Sequence, residues 1–177
     1  MNVIGSWRLA RERKRLAERF VQEVLRAPSA SEIDWLAALT RDRAVAQREI
    51  TFARRAIALM VAERDALDDR TASDVAHALV HPVNDEARRS PDVGRAWTSR
   101  SREYAAALAV RGQSATPATR LAHVLLNGAA VSEAHHDAVE QATQFVQTAR
   151  ASANESLRAI FGAATLPEDV RPSALRT

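Results

Sequence analysis

SEIDWLAALTRDRAVAQREITFARRAIALMVAERDAL, residues 31–67, contains neither glycine nor proline. Its apolar residues recur at helical rather than alternating spacing. Read as one helix capped by Ser31, it would be about 55 Å long. At about 100° per residue, Ile33, Leu36, Leu39, Ala46, Ile50, Ala53, Ile57 and Met60 fall on one broad side. Val45, Phe52 and Leu59, spaced by seven, fall nearly opposite. A helix apolar on two sides must be covered twice. The rest of the chain supplies one cover; the Val45, Phe52 and Leu59 strip is covered either by a partner molecule or by the last helix folding back.

The segments on either side are read from their caps. Residues 6–26 form an amphipathic helix between Gly5 and Pro28, with Leu9, Leu16, Ala17, Phe20, Val21, Val24 and Leu25 on the apolar half and Trp7 at its edge. Arg8, Arg11, Arg15 and Arg19 lie on the other side, while Arg13 and Lys14 intrude on the apolar half, where long stems can snorkel. The turn Pro28-Ser29-Ala30-Ser31 is short, so the first two helices form a hairpin. The acidic residues Glu63, Asp65, Asp68 and Asp69 oppose the dipole at the end of the central helix and are expected to loosen it.

Downstream, Thr71 opens a shorter helix that runs to Val80 and stops at Pro82. Residues 82–90, PVNDEARRS, are expected as a charged connection and as the one possible sub-boundary. Ser90-Pro91-Asp92 and Thr116-Pro117 each place a cap before a proline at the first helical position. Gly112 and Asn127-Gly128 supply the matching stops. Ser132 opens a last long helix that carries Ala138, Ala142, Phe145 and Ala149, weakens between Ser152 and Ser156, and ends at Gly162. No stretch alternates with the period of two that a half-buried strand needs. The fold expected is all-α: an antiparallel helical bundle or elongated, coiled-coil-like helical hairpin on one long central helix, with shorter capping helices. Residues 1–162 make a single domain, and 163–177 a flexible tail.

Composition narrows the chemistry. Alanine makes up about a fifth of the 177 residues and aromatics only 5%, which favours close helix packing over roomy pockets. No apolar run approaches the roughly 18 residues a spanning helix requires, and the early Arg and Glu do not resemble a signal peptide, so a cytoplasmic protein is expected. The chain has no cysteine, nucleophile elbow, Walker loop or dinucleotide glycine motif, and no acid–base couple stands out; no catalytic residue and no cofactor are expected. His77 and His81 lie one turn apart with Asp74 before them, and Glu133 and His136 make one Glu-x-x-His. A di-iron bundle needs two such pairs, so no metal is expected.

Two functional readings remain. Val45, Phe52 and Leu59 fit a non-catalytic interaction module that joins another copy of itself or a protein partner through the central helix. Alternatively, two arginine ladders, Arg8, Arg11, Arg15 and Arg19, then Arg41, Arg48 and Arg55, would track nucleic-acid phosphates. Residues 1–56 carry 12 basic and 7 acidic side chains, and the remainder 13 and 15, so the basic surplus sits in the N-terminal third.

Overall fold

A computed structural model describes residues 3–65, 69–109, 114–131 and 136–162. The described residues form seven α-helices: α1 (Val3–Val24), α2 (Ala30–Thr40), α3 (Arg43–Asp65), α4 (Asp69–Arg89), α5 (Pro91–Ala109), α6 (Pro117–Gly128) and α7 (His136–Phe161). No strand occurs among them. None of these helices is long and apolar enough to cross a membrane.

The expected 37-residue helix is two helices, broken at residues 41–42. Arg41 takes a left-handed conformation, φ 57°, and its N–H donates to the Ala37 carbonyl at 2.8 Å. The Thr40 hydroxyl accepts from the Asp42 N–H at 3.1 Å and donates to the Asp42 carbonyl at 2.9 Å. Asp42 then caps α3: its carboxylate accepts from the N–H groups of Ala44 and Val45, at 2.9 and 3.1 Å. The local hydrogen bonds of Thr40 and Asp42 do what glycine or proline does elsewhere. Ion pairs of Arg43 with Asp34 and of Arg54 with Glu32, the latter at 3.6 Å, fasten α2 to α3 as a hairpin.

Other boundaries shift for equally local reasons. Ser29, not Ser31, caps α2, in a reciprocal box with Glu32: the Glu32 N–H donates to Ser29 Oγ, and the Ser29 N–H to the Glu32 carboxylate at 2.7 Å. Helix α4 begins before Thr71 and runs through Pro82 to Arg89, so residues 82–89 are helical rather than a connection. An internal proline costs about 3 kcal/mol. Burial of Leu79 and partial burial of Val83 on either side offset it. Thr116 caps α6 as expected, with its hydroxyl 3.2 Å from the Thr119 N–H, and Gly162, φ 93°, follows the end of α7. Gly112, Ser132, Asp68 and the tail 163–177 lie outside the described residues, as does the Glu133 part of the Glu-x-x-His pair.

Helix α3 packs against all six other helices. Its Ala46, Ile50, Ala53, Ile57 and Val61 are each at most 1% exposed. Around it, Ala17 of α1, Ala122 of α6 and Ala142 of α7 are fully buried, the close packing that an alanine-rich composition favours. Aromatic pairs tie distant elements together: Phe20 of α1 meets Phe161 of α7 edge-on, and Trp35 of α2 meets Phe145 of α7. Between α4 and α5 the backbones approach so closely that a Cβ at Gly94 would stand 2.6 Å from the Ala87 Cβ.

Candidate functional site

Of the strip expected to face a partner, Phe52 is taken up inside the chain, while Val45 and Leu59 keep part of their surface outside. Phe52 is 1% exposed, and its ring lies 5.5 Å from that of Trp97 on α5. Leu59 is half-buried against the core, beside Trp97 and Tyr104 in a shallow cleft between α3 and α5, and Val45 is half-buried. The cover at Phe52 and Leu59 comes from α5, not from the last helix. No free apolar face is left at Phe52 for a second molecule.

The second arginine ladder is dismantled by the same packing. Arg55 is 6% exposed, its Nη2 lies 2.6 Å from the Glu86 carboxylate of α4, and its guanidinium sits 5.9 Å from the Phe52 ring and 5.7 Å from Trp97. Arg48 is half-buried and donates to Glu49 at 3.2 Å, and Arg41 is the exposed left-handed residue at the helix break. The first ladder survives: Arg8, Arg11, Arg15 and Arg19 are all exposed along α1.

Beneath Arg48 lies a charged centre that spacing alone did not reveal. Glu49 of α3 is 1% exposed and accepts from Arg48 and, at 3.0 Å, from Arg100 Nε of α5; Arg100 also bonds to Glu103. Gly128 at the end of α6 seats this group, since a Cβ there would strike the Glu49 carboxylate and stand 2.7 Å from the Arg100 guanidinium. Burial works against the charged form of Arg100, but Glu49 and Glu103 outweigh it and hold its pKa above the ordinary arginine value. Tyr104, one turn along α5, is fully buried, and its hydroxyl has no hydrogen-bond partner among the described residues. Burial first, then the nearby Glu49 charge, push its phenol far above the ordinary value. Buried charges held by one another in this way join helices α3 and α5.

A separate concavity lies elsewhere. Helices α1 and α4 flank a cleft of about 830 Å³, walled by Ala10, Lys14, Glu18, Val21, Gln22 and Leu25 on one side and by Ser73, Asp74, His77, Ala78, His81 and Pro82 on the other. Arg13 bonds Asp74 across the two helices at 3.2 Å, Lys14 and Glu18 pair along α1 at 3.9 Å, and His77 Nδ1 lies 3.2 Å from the Ser73 carbonyl. Near the N-terminal end of this wall, Trp7 is 61% exposed with the Arg11 guanidinium 5.5 Å over its ring, and Leu9, nearly opposite on the helix, is 63% exposed. Asp74, His77 and His81 thus share the cleft, but no three His, Asp or Glu side chains among the described residues are grouped to hold a metal.

Of the residues singled out from the sequence, the fold brings Arg55 to Phe52 and keeps the α1 arginines together on the outside. It buries Arg55, so Arg41, Arg48 and Arg55 do not form one exposed ladder. No family model matches the chain, and neither a curated protein nor a solved structure matches it.

Proposed function

We propose that the seven helices act as one bundle organised on α3, and that the protein is a non-catalytic interaction module that engages a protein partner through the cleft between α1 and α4. The observation that carries this reading is the cleft together with the exposure of Trp7 at its end. Tryptophan is the side chain most enriched among residues that dominate binding, and leaving one in water forgoes several kcal/mol at ~25 cal/mol per Å². The buried charges support the same reading from the other side: Glu49, Arg55 and Arg100 are engaged in holding helices together. The partner surface therefore moves from the central helix to α1 and α4.

Site-specific photo-crosslinking tests it. A photoreactive residue at Gln22, in the cleft wall, should yield a discrete protein adduct in the native host, whereas one at Gln47, exposed on α3, should not. Equal adducts at both positions, or none at Gln22, refute the reading. The exposed Arg8, Arg11, Arg15 and Arg19 stripe favours one alternative, nucleic-acid binding by phosphate contacts alone. With four contacts its affinity would fall with a log–log salt slope of about −3 to −4.

A further inference from the structure

The cleft has a direction and a charged edge, and these specify its occupant. Its α1 wall runs from Ala10 to Leu25, about 22 Å at the helical rise, and its α4 wall from Ser73 to Pro82, about 14 Å. Walls of this length match an amphipathic helix laid along them. On the helical wheel Trp7, Ala10, Lys14, Val21 and Leu25 share one stripe, so Trp7 continues the cleft wall by one turn. Arg8, Arg11, Arg15 and Arg19 form the adjoining stripe, roughly 100° further round, and all four are exposed. Arg13 pairs with Asp74 and Lys14 with Glu18, and although exposed Glu12 and Glu23 flank the arginine stripe, four arginines outnumber them, so this edge is net positive.

Resting on the proposed interaction module, the geometry points to an amphipathic, acidic α-helix of another protein as the ligand, about 15 residues long. Its apolar side fills the trough and reaches Trp7, and its acidic flank lies along Arg8, Arg11, Arg15 and Arg19. Charge complementarity is what separates this occupant from a second copy of the chain. A two-fold contact through the same face, with its axis running across α1, would set each arginine stripe against its symmetry mate. Like charges brought together across a contact cost several kcal/mol. Nucleic acid would use the arginines but not the Val21, Leu25, Ala78 and Pro82 surface beside them.

Two synthetic 18-residue peptides make the test: one amphipathic helix with leucines at i, i+3, i+4 and i+7 flanked by glutamates, and the same helix with lysines in place of the glutamates. Binding is read by fluorescence anisotropy of the labelled peptide and by quenching or enhancement of tryptophan emission. The expected result is that the acidic peptide binds at least tenfold tighter than the lysine peptide, and that its affinity falls as salt rises. Trp7→Ser should weaken it. Arg11→Glu with Arg15→Glu, both exposed and so harmless to the fold, should reverse the peptide preference. Equal binding of both peptides, unaltered by the arginine reversals but lost in Trp7→Ser, overturns the acidic occupant while leaving the cleft as a partner site. Binding of neither peptide overturns the acidic helix, and only if Gln22 then also gives no crosslink does the module reading fall with it. A dimer in sedimentation that Trp7→Ser dissolves, or duplex DNA that displaces the acidic peptide at equal or lower concentration, assigns the face to a second copy or to nucleic acid and also overturns the proposal.

Discussion

Replacing Phe52 by alanine separates a core ring from an interface ring. The side chain is 1% exposed, its ring meets Trp97 at 5.5 Å, and the Arg55 guanidinium lies over it at 5.9 Å. A buried phenylalanine removes on the order of 200 Å² from water, which at ~25 cal/mol per Å² sets an upper bound near 5 kcal/mol. Alanine retains part of that area, but the void left beside Trp97 adds a cavity cost, and truncations of this kind lie at about 3–5 kcal/mol. For a chain of this size unfolding in urea with a slope of roughly 2 kcal/mol per molar, the midpoint should fall by about 2 M with the slope unchanged. Sedimentation of the still-folded fraction should show the same oligomeric state as the parent protein. An unchanged urea midpoint accompanied by loss of assembly would place the ring at a molecular interface and refute the packing argument.

Glu49→Leu and Arg100→Leu should each destabilise by about 1.5–3 kcal/mol, because each removes a charge-assisted bond from a group left with only its second partner, Glu103 for Arg100 and Arg48 for Glu49, while the double variant should cost at least about 1 kcal/mol less than the sum; additive losses in urea titrations would show that the two groups are independent. The raised pKa of Tyr104 means that its neutral phenol favours the folded state. That contribution is intact below the ordinary value of about 10 and is lost at about 1.4 kcal/mol per pH unit as pH rises above it. Tyr104 is the only tyrosine, so tyrosinate absorbance reports it alone and should appear only with unfolding; ionisation near pH ~10 in the folded protein would contradict the burial. Tyr104→Phe should abolish this alkaline loss and alter stability at neutral pH by less than about 1 kcal/mol, since the hydroxyl has no partner among the described residues. Asp42→Ala should remove the α3 cap at a cost of about 1 kcal/mol, read as a melting point about 2–4 °C lower, and an unchanged melting point would show that the cap contributes nothing.

The helical class and the starts of α5 and α6 were legible because proline after a serine or threonine cap fixes a helix start within a residue or two. The break at residues 41–42 was not legible by the same rule. No glycine or proline marks it; the turn depends on the Thr40 hydroxyl, the Asp42 carboxylate and an arginine held at positive φ, a conformation arginine seldom adopts. Asp42 three residues before Val45 was the available cap signal, masked by the unbroken apolar periodicity around it. Pro82 misled in the opposite direction, since packing of the flanking turns outweighed its local penalty. For the site, the wheel correctly left Arg8, Arg11, Arg15 and Arg19 on the outside. It could not show that Phe52 and Arg55 would meet Trp97, or that Glu49 would meet Arg100, because those partners are 45, 42 and 51 residues away in sequence and on another helix. Periodicity says which face a residue occupies; only the packing of separate helices says what faces it.

Helix α3 touches all six other helices, and this dictates how the molecule opens. A peripheral helix can detach and leave the rest largely intact, whereas α3 cannot lose its hydrogen bonds to solvent until several neighbours have left. Its amide hydrogens near Ile50, Ala53 and Ile57 therefore exchange only when the whole chain unfolds, at a rate that measures global stability. Residues 7–12 of α1, all exposed, lie at the other extreme and exchange through local opening. The chain thus carries its slowest clock at its centre and its fastest at the end of the cleft, so that a ligand seated against Trp7 would register as slowed exchange in α1 long before α3 records anything.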